Sequence, residues 1–434
     1  MYLSQLIAAD AVNQVLSGRN LTLALPEAQV RFPQATPQQR GGGADLSYGT
    51  LRFYGEIEVY LRQLLEKPLT DRRIHTLLLV AIYQLMHDKA DAFTVVNQAV
   101  HAVNQLKRPV PKAWAKGLVN GVLRNFLRQK ARLTVFADTN EVARYSYPQW
   151  WINKLKLQYP AHWQQMLVAG NQHPPMTLRV NQKKITMPDY LNLLQDQAIE
   201  GVHLGEHAVM LAKPVAVEKI PGFKDGVVSV QDYGAQLAAP LLDVQAEMRV
   251  LDACCAPGGK AGHLLELANV HLTGLDSDEV RLARVQSNLT RLQLQANLLV
   301  GDAATDEWFD GRLFDRILAD VPCTASGIVR RHVDIKWLRR EGDVSAFALQ
   351  QRKILPSLWQ KLAKGGKLLY VTCSVFHEEN QEQINQFLNN HVDARQLPIE
   401  SVLSQQYNNM IYMNGQLIPN NLHDGFFYAL LQKH

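Results

Sequence analysis

The chain is poor in cysteine, with four in 434 residues, and it has no run of eighteen or more apolar residues. So few thiols cannot build a disulfide framework, and they point to a reducing cytoplasm. Without a long apolar run, no membrane-spanning helix is expected. The opening Met1-Tyr2-Leu3-Ser4-Gln5 lacks a basic stretch followed by an apolar one, so no export signal is expected. Cys254 and Cys255 are adjacent, no His/Cys array has zinc spacing, and no structural metal is expected. The full Gly-x-Gly-x-x-Gly of dinucleotide enzymes is also missing, which counts against a nicotinamide oxidoreductase.

The length calls for two or three domains, and an apolar content of 47% can fill their cores. Net charge is only +5, but it is unevenly spread. Residues 1–150 carry 18 Lys/Arg against 11 Asp/Glu, and the remainder carries 27 against 29. The segment 101–132 has eight basic residues and no acidic one. A local basic surface suits a nucleic-acid partner, and it equally suits the solvated face of a helical domain.

Periodicity divides the chain in three. Ile74, Leu77, Leu78, Ala81, Ile82 and Leu85 form an apolar helical stripe. So do Val95, Val96, Ala99, Val100 and Val103, and then Val119, Val122, Leu123, Phe126 and Leu127. Arg124, Arg128 and Arg132 recur on another face, after Lys116. Residues 34–45, with Gly41-Gly42-Gly43, read as a loop. Residues 1–140 are therefore expected to form an all-α bundle. Residues 145–235 read as a small α+β domain with strands near 177–181 and 227–232. From 236 to 434 strand and helix alternate, predicting a doubly wound α/β core. Its strands fall at 249–253, 271–275, 296–300, 314–319, 367–372 and 426–431. Its helices fall at 260–268, 279–292, 346–363 and 377–389.

The chemistry-bearing residues collect at predicted strand ends, where open α/β sheets bind ligands. Asp252 is followed by Cys254-Cys255-Ala256-Pro257-Gly258-Gly259-Lys260, a turn into a helix where two glycines let backbone N–H groups approach a ligand. Asp276 closes the second strand, placed for ribose hydroxyls, and Asp302 follows the third, placed for an adenine amino group. Each acid alone reads as an ordinary strand-end or capping residue. Together, three acids at successive strand ends fit S-adenosylmethionine better than a dinucleotide. Cys323 follows Asp320-Val321-Pro322, and Cys373 lies in Tyr370-Val371-Thr372-Cys373-Ser374. These thiols are either reactive groups beside a small-molecule site or inert buried hydrophobes.

Two resemblances bear on these alternatives. Val96-Asn97-Gln98-Ala99-Val100 with Lys116-Gly117-Leu118-Val119-Asn120-Gly121-Val122-Leu123-Arg124 resembles the NusB fold, implying an RNA-binding bundle over roughly 1–135. The segment Cys254 to Lys260, Asp320-Val321-Pro322-Cys323 and Thr372-Cys373-Ser374 resemble the motifs of Sun-type RNA cytosine-5 methyltransferases. Gly327 to Trp337 and Val230-Gln231-Asp232 resemble further stretches of that family. The resemblance departs in reading Cys-Cys-Ala-Pro for the usual Cys-Ala-Ala-Pro, and in Val321 and Ala325-Ser326 for Ala and Gly-Thr.

The family resemblance implies a Rossmann-like core using S-adenosyl-L-methionine, held by Cys254 to Lys260, Asp276, Asp302 and Asp320. It implies Cys373 as the nucleophile toward cytosine C6, Cys323 as the group that releases the product, and Asp320 as a partner of the cytosine edge. It also implies small-subunit (16S) rRNA as partner, naked or in early assembly intermediates, with cytosine 967 as target. Lys260 is a candidate to favour the Cys373 thiolate, and Arg330, Arg331 and His332 are candidates for phosphate contact. No membrane or metal partner is expected, and a monomer is the default. Two other functions are weighed against this one. A DNA cytosine-5 methyltransferase has no counterpart of Cys373. A non-catalytic NusB-like RNA-binding factor would tolerate Cys373→Ala.

Overall fold

Several of the N-terminal helices begin at side-chain caps, and Tyr54–Leu64, Arg72–Met86 and Ala92–Val103 are amphipathic. The computed structural model describes residues 2–106, 112–399 and 412–434. Part of the basic segment 101–132, including Lys107 and Arg108, therefore lies outside the described residues. Contacts divide the chain into two units, one of residues 1–172 with 329–341, the other of 173–328 with 342–434. Among the described residues no helix is long and apolar enough to cross a membrane.

The first unit is all-helical. Its helices run from Tyr2–Leu16 to Trp163–Asn171, and the longest is Lys112–Asp138. Asn20, Asp71 and Asp91 cap their helices by accepting first-turn N–H groups, which would otherwise be orphaned. The expected stripes point inward, with Leu77, Ala81, Val95, Ala99, Val119, Leu123 and Phe126 wholly buried. Leu127, placed in that stripe by spacing, is instead partly exposed. Arg124, Arg128 and Arg132 stand on the exposed face of Lys112–Asp138.

The glycine-rich stretch is not a loop. Residues Pro37–Arg52 form a helix opened by a capping box, in which Thr36 Oγ1 accepts the Gln39 N–H and Gln39 Oε1 accepts the Thr36 N–H. Pro37 supplies the fixed φ of the first turn. Close helix packing offsets the poor propensity of the glycines. A Cβ on Gly43 would lie 2.7 Å from Ile7 Cγ2, and one on Gly49 would lie 2.0 Å from Tyr83 Cζ.

Residues 329–341 belong to this helical unit, although their sequence neighbours do not. Val333 joins its core, and Asp334 Oδ2 accepts the Leu21 N–H at 2.8 Å. Lys336 is wholly buried and donates to Arg52 O at 2.7 Å, Ser146 O at 2.9 Å and Asn171 Oδ1 at 2.7 Å. Arg330, read from the sequence as a candidate phosphate contact, is only 2% exposed, and its carbonyl accepts from Arg52. A buried guanidinium cannot meet an RNA backbone, so that expectation fails for Arg330. His332 is exposed.

The second unit carries two sheets. Strands β1 (Met176–Val180), β2 (Gly201–Gly205), β3 (Ala208–Leu211) and β4 (Val228–Val230) form an antiparallel sheet in the order β2-β3-β1-β4. Helix Met187–Asp196 adds Tyr190 and Leu194 to the core of this layer. The larger sheet contains β5 (Arg249–Ala253), β6 (His271–Asp276), β7 (Asn297–Val300), β8 (Phe314–Asp320) and β9 (Leu362–Thr372). They are followed by β10 (Ala394–Leu397), β11 (Tyr412–Met413), β12 (Gln416–Leu417) and β13 (Phe426–Lys433).

The order in the larger sheet is β11-β12-β13-β9-β8-β5-β6-β7, with β10 also on β13. Strands β5 to β9 are parallel and β13 runs antiparallel to β9. The order reverses at β5, between β6 and β8, which opens a crevice at the carboxyl ends. Pairing of Ala253 with Leu275 and Ala319, and of Asp320 with Val371, brings those ends level. The expected strands and helices fall within a few residues of these elements. The differences are an earlier start to β9 and a turn at His377–Glu379 ahead of helix Gln381–Asn390.

Candidate active site

The turn after β5 is built to stay open. Gly258 has φ of +93°, and a Cβ there would press on Val285 at 3.0 Å. No side chain caps helix Gly259–Leu267, so its first-turn N–H groups face the strand ends without a side-chain partner. Asp276 braces the turn, Oδ2 accepting the Ala256 N–H and Oδ1 the Asp278 N–H, each at 3.1 Å. Arg281 donates to Ala256 O at 3.0 Å and Asn288 to Pro257 O at 2.9 Å. Asp302 is exposed beyond β7, where its Oδ1 accepts the Ala304 N–H at 2.9 Å. Cys254 and Cys255 are free thiols, and burial followed by nearby acids pushes both well up from the usual thiol range.

Asp252 is wholly buried, and neither carboxylate oxygen has a hydrogen-bond partner among the described residues. Burial first, then Asp320, hold its carboxyl well above the usual range. An orphaned buried carboxylate beside an open helix N-terminus fits a ligand carrying both a cation and an anion, as the amino-acid end of S-adenosylmethionine does.

At the mouth of the crevice Lys260 Nζ lies 2.6 Å from Asp320 Oδ2 and 5.6 Å from the centre of the Phe426 ring. Burial works against the ammonium, but Asp320, with Cys373 and Asp252 also in range, holds its pKa above the ordinary value. Cys323 Sγ and Cys373 Sγ are 3.4 Å apart, both partly exposed. Contact with Cys373, then burial, then the Glu379 carboxylate keep the Cys323 thiol well above its usual range. The structure thus brings Cys323, Cys373, Asp320 and Lys260 together, with Asp252 and Asp276 at the neighbouring strand ends.

Two residues of this neighbourhood escape the sequence reading. Arg179, on β1, is buried and bidentate to Glu266 at 2.7 Å, and its Nη1 donates to Gly259 O at 2.7 Å and to Gln231 Oε1 at 2.5 Å. It ties the antiparallel sheet to the turn after β5. Glu379 accepts from Thr324 and Ser374, the residues that follow the two cysteines. An arginine inside an alternating strand is the one available signal for Arg179, because a charge on an inward position needs a partner.

A parallel sheet with a reversed order and a thiol-bearing crevice at its carboxyl ends defines a Rossmann-like methyltransferase core. Comparison with known proteins agrees throughout the chain. The family model for 16S rRNA methyltransferase RsmB/F matches residues 239–432, the RsmF/B-like ferredoxin-like domain matches 147–218, and the NusB family matches 3–128. The ribosomal RNA small subunit methyltransferase B of Serratia proteamaculans is 42% identical over 98% of both chains, and that of Yersinia enterocolitica is equally similar. The chain belongs to the ribosomal RNA small subunit methyltransferase B family. The solved structure of PH0851 superposes with a TM-score of 0.80 at 23% identity, covering 100% of this chain and 99% of that one. A methyltransferase homologue from Pyrococcus horikoshii gives 0.59 at 24% identity, covering 68% of this chain and 97% of that one. Both show the fold.

Proposed function

We propose that this protein transfers a methyl group from S-adenosylmethionine to C5 of a cytosine in 16S rRNA, at position 967, through a covalent adduct with a cysteine. The observation that carries the reading is the 3.4 Å approach of Cys323 and Cys373 beside the Lys260–Asp320 pair. One thiol alone suits many folds. Two thiols in contact at the ligand end of a methyltransferase sheet suit a reaction with an addition and an elimination.

Cytosine C5 is a weak nucleophile. Attack of the Cys373 thiolate on C6 makes the ring an enamine, so that C5 gains the electron density to take a methyl group. S-adenosylmethionine, when bound, supplies that methyl as an electrophile. Its holders are Cys254 to Lys260, Asp276, Asp302 and Asp320, and the orphaned Asp252 carboxylate and uncapped helix fit it. Asp320, paired with Lys260, faces the cytosine edge and stabilises charge that develops on the ring. Water takes the C5 proton, and the electron pair of that C–H bond re-forms the C5=C6 double bond as the C6–S bond breaks, returning Cys373 as a thiolate. Cys323, held as a thiol by its surroundings, acts in that release.

A base stacked in a duplex cannot be reached by a thiol nucleophile, so the target base must leave its stack, which favours a loop or single strand. The helical segment 1–140 and the α+β segment 145–235 serve RNA binding, 236–434 the chemistry. The protein acts as a monomer in the cytoplasm.

The test is transfer of labelled methyl from S-adenosylmethionine to unmodified small-subunit rRNA. Wild type is expected to yield 5-methylcytosine, Cys373→Ala none, and Cys323→Ala a protein–RNA adduct that survives denaturation. Methylation by Cys373→Ala but not by Cys323→Ala would exchange the two roles. Absence of transfer by wild type to rRNA and to subunits alike would sink the enzyme reading.

A further inference from the structure

Glu379 has no role in the chemistry above, yet its carboxylate accepts three hydrogen bonds from the residues that follow the two cysteines. The side chain is wholly buried. Oε1 accepts the Thr324 N–H at 2.7 Å, while Oε2 accepts the Thr324 hydroxyl at 2.6 Å and the Ser374 hydroxyl. Thr324 follows Cys323 directly, and Ser374 follows Cys373 directly. One carboxylate therefore binds the residue after each cysteine, on two turns fifty positions apart. Ser326 closes the cluster, 2.9 Å from Ser374 Oγ and accepting the Val375 N–H at 2.9 Å.

Glu379 is itself anchored. Its backbone carbonyl accepts the Tyr370 hydroxyl at 2.7 Å, and its N–H reaches Phe376 O at 3.1 Å. Tyr370 lies on β9, so the carboxylate is referenced to the central sheet. A buried carboxylate is tolerated where several donors satisfy it, and such a network is rigid because every member depends on the others. A stabilising role alone does not require that both hydroxyl donors be neighbours of the two thiols.

We infer that Glu379 is a positioning residue that pins both cysteine-bearing turns to one buried carboxylate and so fixes Cys323 against Cys373. The inference rests on the two-cysteine reading of the reaction. Addition at C6 and release after methylation use two thiols on one ring, and a misplacement of about 1 Å costs on the order of a hundredfold in rate. The charge of Glu379 also helps keep Cys323 protonated.

Two variants separate placement from charge. Glu379→Asp keeps the charge and withdraws it by one methylene, whereas Glu379→Gln keeps the reach and removes the charge. In rRNA methylation, Glu379→Asp is expected to lose at least tenfold in kcat, with KM for S-adenosylmethionine and rRNA within twofold of wild type. The adduct fraction is expected to rise, because Cys323 is displaced from its role in release. Loss of cofactor binding and melting temperature in step with kcat would overturn the inference in favour of a purely structural role.

A second readout needs no methylation. Diamide takes two electrons and two protons from a pair of thiols, becoming a hydrazine and leaving a disulfide. Formation of the Cys323–Cys373 disulfide, followed by peptide mass mapping, reports how well the two turns are held together. Glu379→Asp is expected to slow it at least tenfold, and Glu379→Gln to stay within threefold of wild type. A wild-type rate in Glu379→Asp, or equal slowing in both variants, would overturn the inference. If wild type forms the disulfide but transfers no methyl, the proposed reaction fails while the placement by Glu379 is still decided.

Discussion

Lys260 and Asp320 face each other at 2.6 Å across the crevice, one from the helix after β5 and the other from the end of β8. The pair joins the cofactor turn to the strand that carries the Cys323 turn, so each partner orients the other. Burial opposes the ammonium, but Asp320 raises the Lys260 pKa above 10.5. A raised pKa contributes stability that is complete below the unfolded value and is lost as pH rises through the folded one. The ion pair is thus intact across the neutral range, and the pH profile of methylation should carry no limb from Lys260 below 10.5. Asp320→Asn is expected to lower kcat by on the order of 10²–10³ while the protein stays folded, measured by single-turnover methylation. Unchanged kcat would remove Asp320 from the chemistry.

The helix through the glycine run makes a steric prediction. A Cβ at Gly49 meets Tyr83 at 2.0 Å, whereas one at Gly41 meets nothing within 4 Å. Gly49→Ala should destabilise by about 1–3 kcal/mol through overpacking. Gly41→Ala should stabilise by about 0.5–1 kcal/mol, because alanine loses less backbone entropy in a helix. Thermal unfolding of the two variants separates the effects, and equal shifts would contradict the packing.

His263 gives the fold an acid-side weakness. It is buried in the helix after β5, neither ring nitrogen has a partner among the described residues, and His207 packs edge-on at 5.2 Å. Burial first, then Arg179 and His207, push its pKa well below 6.5, and burial lowers His207 as well. A depressed pKa means stability that is present above the unfolded value and lost as pH falls toward the folded one. Each pH unit below about 6.5 should therefore cost up to about 1.4 kcal/mol per such histidine until it protonates. Melting temperatures from pH 8 to pH 5 should fall in wild type and fall less in His263→Leu. Parallel curves would show that His263 is not responsible.

The exposed arginines of Lys112–Asp138 are expected to act on RNA through phosphate charge alone. Replacing Arg124, Arg128 and Arg132 by Gln should weaken rRNA binding without changing kcat at saturating RNA. The slope of log K against log salt should fall by about 0.7 for each lost phosphate contact on single-stranded RNA. An unchanged slope would place the RNA elsewhere on the surface.

Much of the architecture was legible along the chain because its signals are local. Apolar spacing reports which face of a helix is dry, and short apolar runs ending in Asp or Cys report strands that deliver polar groups to a sheet edge. Cys323, Cys373, Asp320, Asp276 and Lys260 were each visible in this way, as residues beside a strand end or a turn. Their convergence depended on level strand ends, which the parallel register of β5, β6, β8 and β9 supplies.

Tertiary structure decided what depends on partners distant in sequence. Glycine propensity predicted a loop at 34–45, but a helix forms there because Ile7 and Tyr83 fill the space a side chain would need. Arg330 had the composition of a surface cation, but residues 329–341 fold into the helical unit and bury it. Arg179 and Glu379 had no motif, because their partners Glu266, Gly259, Thr324 and Ser374 come from other elements of the sheet and its turns. Periodicity carries the burial of a face, which neighbouring residues determine together. The satisfaction of a buried charge is settled only when donors from separate segments arrive around it.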